Sequence, residues 1–311
     1  MNANRKLTMT LLRNFLSVLL LLAPVAAQNQ PAQGSKPQTG AQGTTPEAAP
    51  PQPSATNPKA KHLPSAKTKP EFDAYQAAVS APDAAVSERM AREFEAQYPN
   101  SELMPLLFQQ VMGKYQKLDN GDKTLDMGRK VLQYDPDNCV ALVMNATVLA
   151  ERTRESDIDR DPRLNESTTD ARKALDNIQN GNYMLAPNAT PEQVQQFKDQ
   201  VSSMAYTSLG TAELMRKNDA AAEQDLRKAS QTSVGKGDAI VWYRLALALD
   251  HQNRYPDANA AITTAVALAP ANSTVANMAK NEQSRLKQLA AGGAPAPKNG
   301  NQPEPEPVPP K

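Results

Sequence analysis

The stretch Ala239 to Pro270, AIVWYRLALALDHQNRYPDANAAITTAVALAP, decides the fold. Trp242, Leu245, Ala246 and Leu249 recur at spacings of three and four, which places them on one face of a helix. Turn formers from Asn253 to Pro256 break the pattern, and Ala258, Ile262 and Ala265 then resume it. Two helices joined by so short a break fold back antiparallel. Ala246, Ala258 and Ala265 let the two backbones come close, while Trp242, Leu245 and Ile262 fill the remaining space. Pro270 cannot continue the second helix.

Working outward toward the N-terminus, Tyr206, Leu209, Gly210, Ala222, Leu226 and Ala229 stand at the same relative offsets. Tyr206 and Trp242 lie 36 residues apart, and the turn Gly235-Lys236-Gly237 absorbs the extra length. Further upstream Phe108, Val111, Tyr115, Val131 and Pro136 keep the frame, with Thr124 and Gly128 departing from it. Leu142, Ala146 and Leu149, followed by Ala171, Leu175 and Ile178, form another pair of helices. A polar insertion from Arg154 to Glu166 separates that pair and reads as a surface loop. The stretches 72–80 and 84–98 make an opening hairpin, and 273–289 makes a closing helix.

These positions resemble the tetratricopeptide repeat (TPR) family, whose repeat is about 34 residues with W, L, G or A, Y, A, F, A and P at fixed offsets. The resemblance spans about residues 70–290 and is most specific in the two full repeats from Tyr206 to Pro270. It implies an all-α, right-handed superhelical solenoid of antiparallel helix hairpins, packed through Phe108, Tyr115, Tyr206, Leu209, Gly210, Ala222, Trp242, Leu245, Ala246, Ala258, Ile262 and Pro270. It also implies a concave groove, lined by the first helix of each hairpin, that receives a peptide or helix of a partner protein. The family's offsets put Gln109, Gln116, Thr147, Glu151, Thr207, Thr211, Tyr243 and Asp250 in that groove. This polar, mixed set lacks the lysines, arginine and asparagines with which the family clamps a C-terminal carboxylate.

Outside the repeats the composition changes. Arg5, Lys6 and Arg13 precede an apolar run, Phe15 to Ala23, and Val25-Ala26-Ala27 offers small residues for cleavage. Residues 1–27 therefore read as a signal peptide, and the mature chain is expected to be exported, periplasmic or secreted, with no integral membrane anchor after cleavage. Residues 28–69 are a Pro/Gln/Ala-rich tether and 291–311 a Pro/Glu-rich tail; with few large apolar side chains, neither can offset the entropy of ordering, so both are expected to be disordered. The 34 basic and 33 acidic residues cancel, which sets nucleic acid aside as a partner. A single cysteine, Cys139, allows no disulfide framework within the chain.

No zinc-protease, nucleophile-elbow, phosphate-loop or paired-cysteine signature is present, so no cofactor and no metal are expected. Asp157, Asp159 and Asp161 begin like a calcium loop, yet Pro162 and Thr168 stand where glycine and glutamate are needed. Gly235-Lys236-Gly237-Asp238 reads as a turn, Cys139 as a buried thiol near a helix start, and His251 as an exposed residue at a helix C-terminus. Met204 and Met215 fit the core as well as an adaptable patch. The sequence thus points to an extracytoplasmic protein-protein interaction scaffold or adaptor. An assembly factor of the cell envelope or of division is the alternative in the same class, and an enzyme using the acids of 154–166 is the alternative in another. Self-association through the end helices stays open.

Overall fold

The computed structural model describes residues 63–186 and 188–290. The signal peptide, nearly all of the tether and the tail lie outside the described residues. Within them the order is α1 (Lys69–Ser80), α2 (Ala84–Gln97), α3 (Met104–Lys117), α4 (Gly121–Tyr134), α5 (Cys139–Arg152), α6 (Arg160–Gln179), α7 (Pro191–Met215), α8 (Asp219–Gln231), α9 (Ala239–His251), α10 (Tyr255–Leu268) and α11 (Thr274–Ala290). A 3-10 turn, Gly235–Gly237, precedes α9, and no strand occurs among the described residues.

Local chemistry marks the helix ends. Side chains of Thr68, Asp83, Asn120, Asn138 and Asp238 accept from backbone N–H groups in the first turns of α1, α2, α4, α5 and α9. Thr190 and Gln193 form a reciprocal capping box on α7. Three hairpin turns share one device: Asp119, Lys217 and Asn253 adopt positive φ. The following amide then reaches back to the carbonyl of Tyr115, Glu213 or Leu249. The hairpin α5–α6 lacks this turn, because residues 154–159 are inserted there.

Each helix packs on the next, and first helices of neighbouring hairpins also touch, as α5 does α7 and α7 does α9. The result is a linear array of antiparallel hairpins, which the resemblance implied. One apolar core runs from Tyr75 to Leu209, where Phe108 and Tyr134 stack with centroids 6.1 Å apart. A second core, from Ala222 to Leu286, joins α8 to α11. Gly128, where the family favours a large apolar residue, has a physical reason: a Cβ there would stand 2.0 Å from Asn145 Oδ1, so the α4 backbone yields space to a buried amide of α5.

Two features depart from the sequence reading. The insertion is a loop only as far as Asp159, since Arg160 to Glu166 are the first two turns of α6. Pro162 in the first turn removes no helical hydrogen bond, and Asp161 suits the positive end of the helix. The second feature is the 25-residue length of α7, which begins well before Tyr206. Its extra N-terminal turns carry Phe197 and Val201 into the core of the preceding hairpins.

Candidate partner-binding surface

The long α7 changes what the first helices present. Every residue of α5 from Ala141 to Ala150 is buried, as expected of a helix that is apolar almost all round. Loop residues Tyr183 and Met184 and helix residue Phe197 cover the N-terminal end of α5 and Gln109 of α3. The eight groove positions consequently do not form an open trough. Gln109, Gln116, Thr147, Thr207, Thr211 and Asp250 are buried, Glu151 keeps only 6% of its side-chain surface, and Tyr243 is half-buried. The close approach of α5, α7 and α9 is what buries Thr147, Thr207 and Thr211.

Four of the eight do converge. Thr147, Glu151, Thr207 and Thr211 surround a cavity of about 10 Å³ together with Arg244, which is the space of about one water molecule. Short hydroxyl side chains allow this approach, and they satisfy themselves: Thr207 donates to the Ser203 carbonyl at 2.7 Å and Thr211 to the Thr207 carbonyl at 2.6 Å. The Thr147 and Ser208 hydroxyls lie 3.2 Å apart across the α5–α7 contact. Arg244 donates to Glu151 at 3.2 Å. Burial pushes the Glu151 carboxyl above its ordinary range, and the guanidinium offsets part of that. Glu151 Oε2 has no protein partner.

Toward the C-terminus α11 closes the array over Asp250, whose carboxylate receives Arg285 at 2.5 Å, while Glu282 holds the same guanidinium at 2.6 Å. Burial raises the Tyr243 hydroxyl to about 12, and Glu282 adds to the effect. Sequence reasoning missed Arg244 and Arg285. The signal for Arg244 was present, because a lone charge inside IVWYRLALAL must find a partner once that helix is buried. Glu151 could not be identified as that partner, since it lies 93 residues away.

Of the packing positions, Phe108, Tyr115, Leu209, Gly210, Ala222, Leu245, Ala246, Ala258 and Ile262 are buried. Tyr206 and Trp242 are half-buried: the Tyr206 ring faces Lys228 Nζ at 5.2 Å and the Trp242 indole donates to the Lys236 carbonyl at 3.1 Å. Pro270 is exposed just past the end of α10. His251 does more than cap a dipole, as its Nδ1 lies 2.7 Å from Asp219 Oδ1 on α8.

The outer layer is polar and cross-linked one repeat at a time. Lys123 bridges to Glu88 at 3.0 Å, Lys130 to Glu95 at 2.7 Å, Arg129 to Glu166 at 2.7 Å and Arg254 to Glu223 at 2.8 Å. Burial alone would raise Glu88, but hydrogen bonds from Tyr115, Arg92 and Lys123 outweigh it and hold that carboxyl at about 2. Two of the exposed apolar side chains sit at hairpin turns: Leu118, 66% exposed, and Ile158, fully exposed. Arg152 ties the two neighbourhoods together by donating to the Asp119 carbonyl at 2.7 Å.

Loop 154–159 is linked to its neighbours at the surface. The Arg154 amide donates to Asp157 at 2.8 Å, Lys217 pairs with Glu155 at 2.9 Å and Arg163 with Asp159 at 3.7 Å. Arg160 pairs with Asp161 at 2.7 Å and Arg129 takes both oxygens of Glu166. Each acid proposed for catalysis is thus matched to a nearby donor. No group of three metal-ligating side chains occurs among the described residues, and none of their helices is long and apolar enough to cross a membrane.

No family model matches the chain, and no curated protein matches it. Among solved structures, a thermophilic TPR protein of Thermus thermophilus aligns over 68% of this chain and 98% of its own, with TM-score 0.42 and 13% identity. The fold description rests on the hairpin geometry given above.

Proposed function

We propose that this chain is an exported scaffold that binds other proteins through the outer surfaces and turn edge of a closed hairpin array. The observation that supports the reading most directly is the turn edge around loop 154–159. There a side chain as apolar as Ile158 is wholly exposed on a short loop that ion pairs link to its neighbours. An exposed apolar tip has surface to bury on docking, which is what an anchor residue requires. The buried state of the groove positions argues for recognition at the edge rather than within the concavity. Export rests on the basic and apolar pattern of residues 1–27.

Crosslinking in an envelope fraction, followed by identification of bound proteins, tests the scaffold reading. A specific partner whose capture fails with Ile158→Asp supports it; the absence of any specific protein under mild crosslinking refutes it. The role in envelope assembly or division predicts a septal or membrane-associated pattern for a tagged chain, and a diffuse periplasmic pattern opposes that role.

A further inference from the structure

We propose that the cavity among α5, α7 and α9 is an internal hydration site, in which one water molecule joins Glu151 to the hydroxyls of α7 and to Arg244. The cavity is about 10 Å³ and is lined by Thr147 and Glu151 of α5, Thr207, Ser208 and Thr211 of α7 and Arg244 of α9. A space of that size takes one water where two to four polar groups reach it. Glu151 keeps 6% and Arg244 9% of their side-chain surface, so neither draws on bulk solvent there. Arg244 Nη2 donates to Glu151 Oε1 at 3.2 Å, while Oε2 is buried with no protein donor. A carboxylate oxygen in that state has lost its hydration without replacement, and such oxygens are rare in folded chains.

The neighbours decide what kind of molecule supplies the donor. Thr207, Thr211 and Ser208 cannot, since each already donates to a carbonyl one turn back, at 2.7, 2.6 and 2.9 Å. Thr147 has the Ser208 oxygen to donate to, at 3.2 Å. These hydroxyl oxygens keep lone pairs and can accept. The occupant must therefore donate to Glu151 Oε2 and to a hydroxyl oxygen while lying beside a guanidinium. A metal cation would sit against the charge of Arg244, and an anion against that of Glu151. A proton on Oε2 would leave Arg244 facing a neutral acid, which the ion pair disfavours. Water has two donors, an acceptor for Arg244 and the right size.

The position of the site gives that water a structural role. One apolar core includes α7 as far as Leu209, and the other starts at Ala222 and includes Leu245 and Leu249 of α9. The cavity lies where α9 of the second core meets α5 of the first. Thr147, Glu151, Thr207 and Thr211 stand at groove offsets of the repeat, yet here they hold an internal water instead of a partner's segment. The concave face is filled from within at this joint.

The test is water-selective NMR on the purified, folded full-length chain, read at the methyl groups of Ala150 and Met204, which also line the cavity. Cross-peaks from water to both methyls, with the sign of a long-lived bound molecule, are expected. Hydroxyl protons that exchange with solvent mimic such peaks, so the control is the double variant Glu151→Leu with Arg244→Met. It removes the charged partners and leaves every hydroxyl, and the cross-peaks should vanish. Cross-peaks that persist in the double variant, or none in the natural chain, would overturn the proposal. A crystal structure of the natural chain decides the matter even if the double variant fails to fold. Density within hydrogen-bond distance of Glu151 Oε2 and of a Thr or Ser hydroxyl is expected there. A dry cavity refutes the site, as does a peak with several oxygen contacts at about 2.4 Å, the signature of a bound cation. Because the purified chain contains no partner protein, either outcome leaves the scaffold reading to its own experiment.

Discussion

Replacing Gly210 by Ala probes the contact on which the repeat frame depends. A Cβ at this position stands 2.5 Å from Leu226 Cγ, 3.0 Å from Leu226 Cδ2 and 3.2 Å from the Ala222 carbonyl oxygen. Leu226 is fully buried, and its Cγ lies too near its own backbone to move far. Overpacking of this kind costs about 1–3 kcal/mol, and the better helix propensity of Ala returns about 1 kcal/mol. The single variant should therefore lose about 0–2 kcal/mol. Leu226→Ala alone should cost about 2–5 kcal/mol through the cavity it leaves. It also removes the two tightest contacts, so Gly210→Ala becomes neutral or slightly stabilising in that background. Urea unfolding of the four chains, followed by the fluorescence of Trp242, the only tryptophan, gives the coupling directly. An interaction of about 1–3 kcal/mol is expected; additivity within about 0.5 kcal/mol would refute close α7–α8 packing at Gly210.

Three further outcomes follow from the ion pairs and the exposed edge. The Glu88 carboxyl is held at about 2 in the folded chain against an ordinary 4.5, so its contribution is complete above the ordinary value and is lost as pH falls through that window. It amounts to about 3 kcal/mol at most, and acid titration of stability should be flatter for Glu88→Gln between those limits; an unchanged slope would contradict the assignment. Arg285→Met leaves the buried Asp250 carboxylate without its cation, at a cost of about 3–5 kcal/mol, and hydrogen exchange in α11 should accelerate before that in α5. Ile158→Asp should leave the unfolding free energy from urea titration within about 0.5 kcal/mol of the natural chain while abolishing partner capture, and a large loss of stability would show that Ile158 is not a free tip.

Periodicity and helix ends were legible in the sequence because they are local. The spacing of Trp242, Leu245 and Leu249 requires a helix whatever surrounds it, and Asn120, Asn138 and Thr190 cap within their own turns. Small residues at Ala246, Ala258 and Ala265 foretold a close approach for the same reason. The insertion was misread in extent because Arg160 to Glu166 is polar and carries no apolar stripe, although the run of α6 into Leu164 and Ser167 already buries its inner side.

By itself the sequence determined that this chain forms paired helices in register, since burying one apolar face per helix leaves no other economical arrangement. It also determined that the charges balance and that no recurrent catalytic motif is carried. Tertiary structure alone decided which polar faces see water. The extra turns of α7 add to the apolar core, Arg244 finds Glu151 and Arg285 finds Asp250. These outcomes depend on residues tens of positions apart meeting in a low-dielectric interior, and no local pattern encodes such distances.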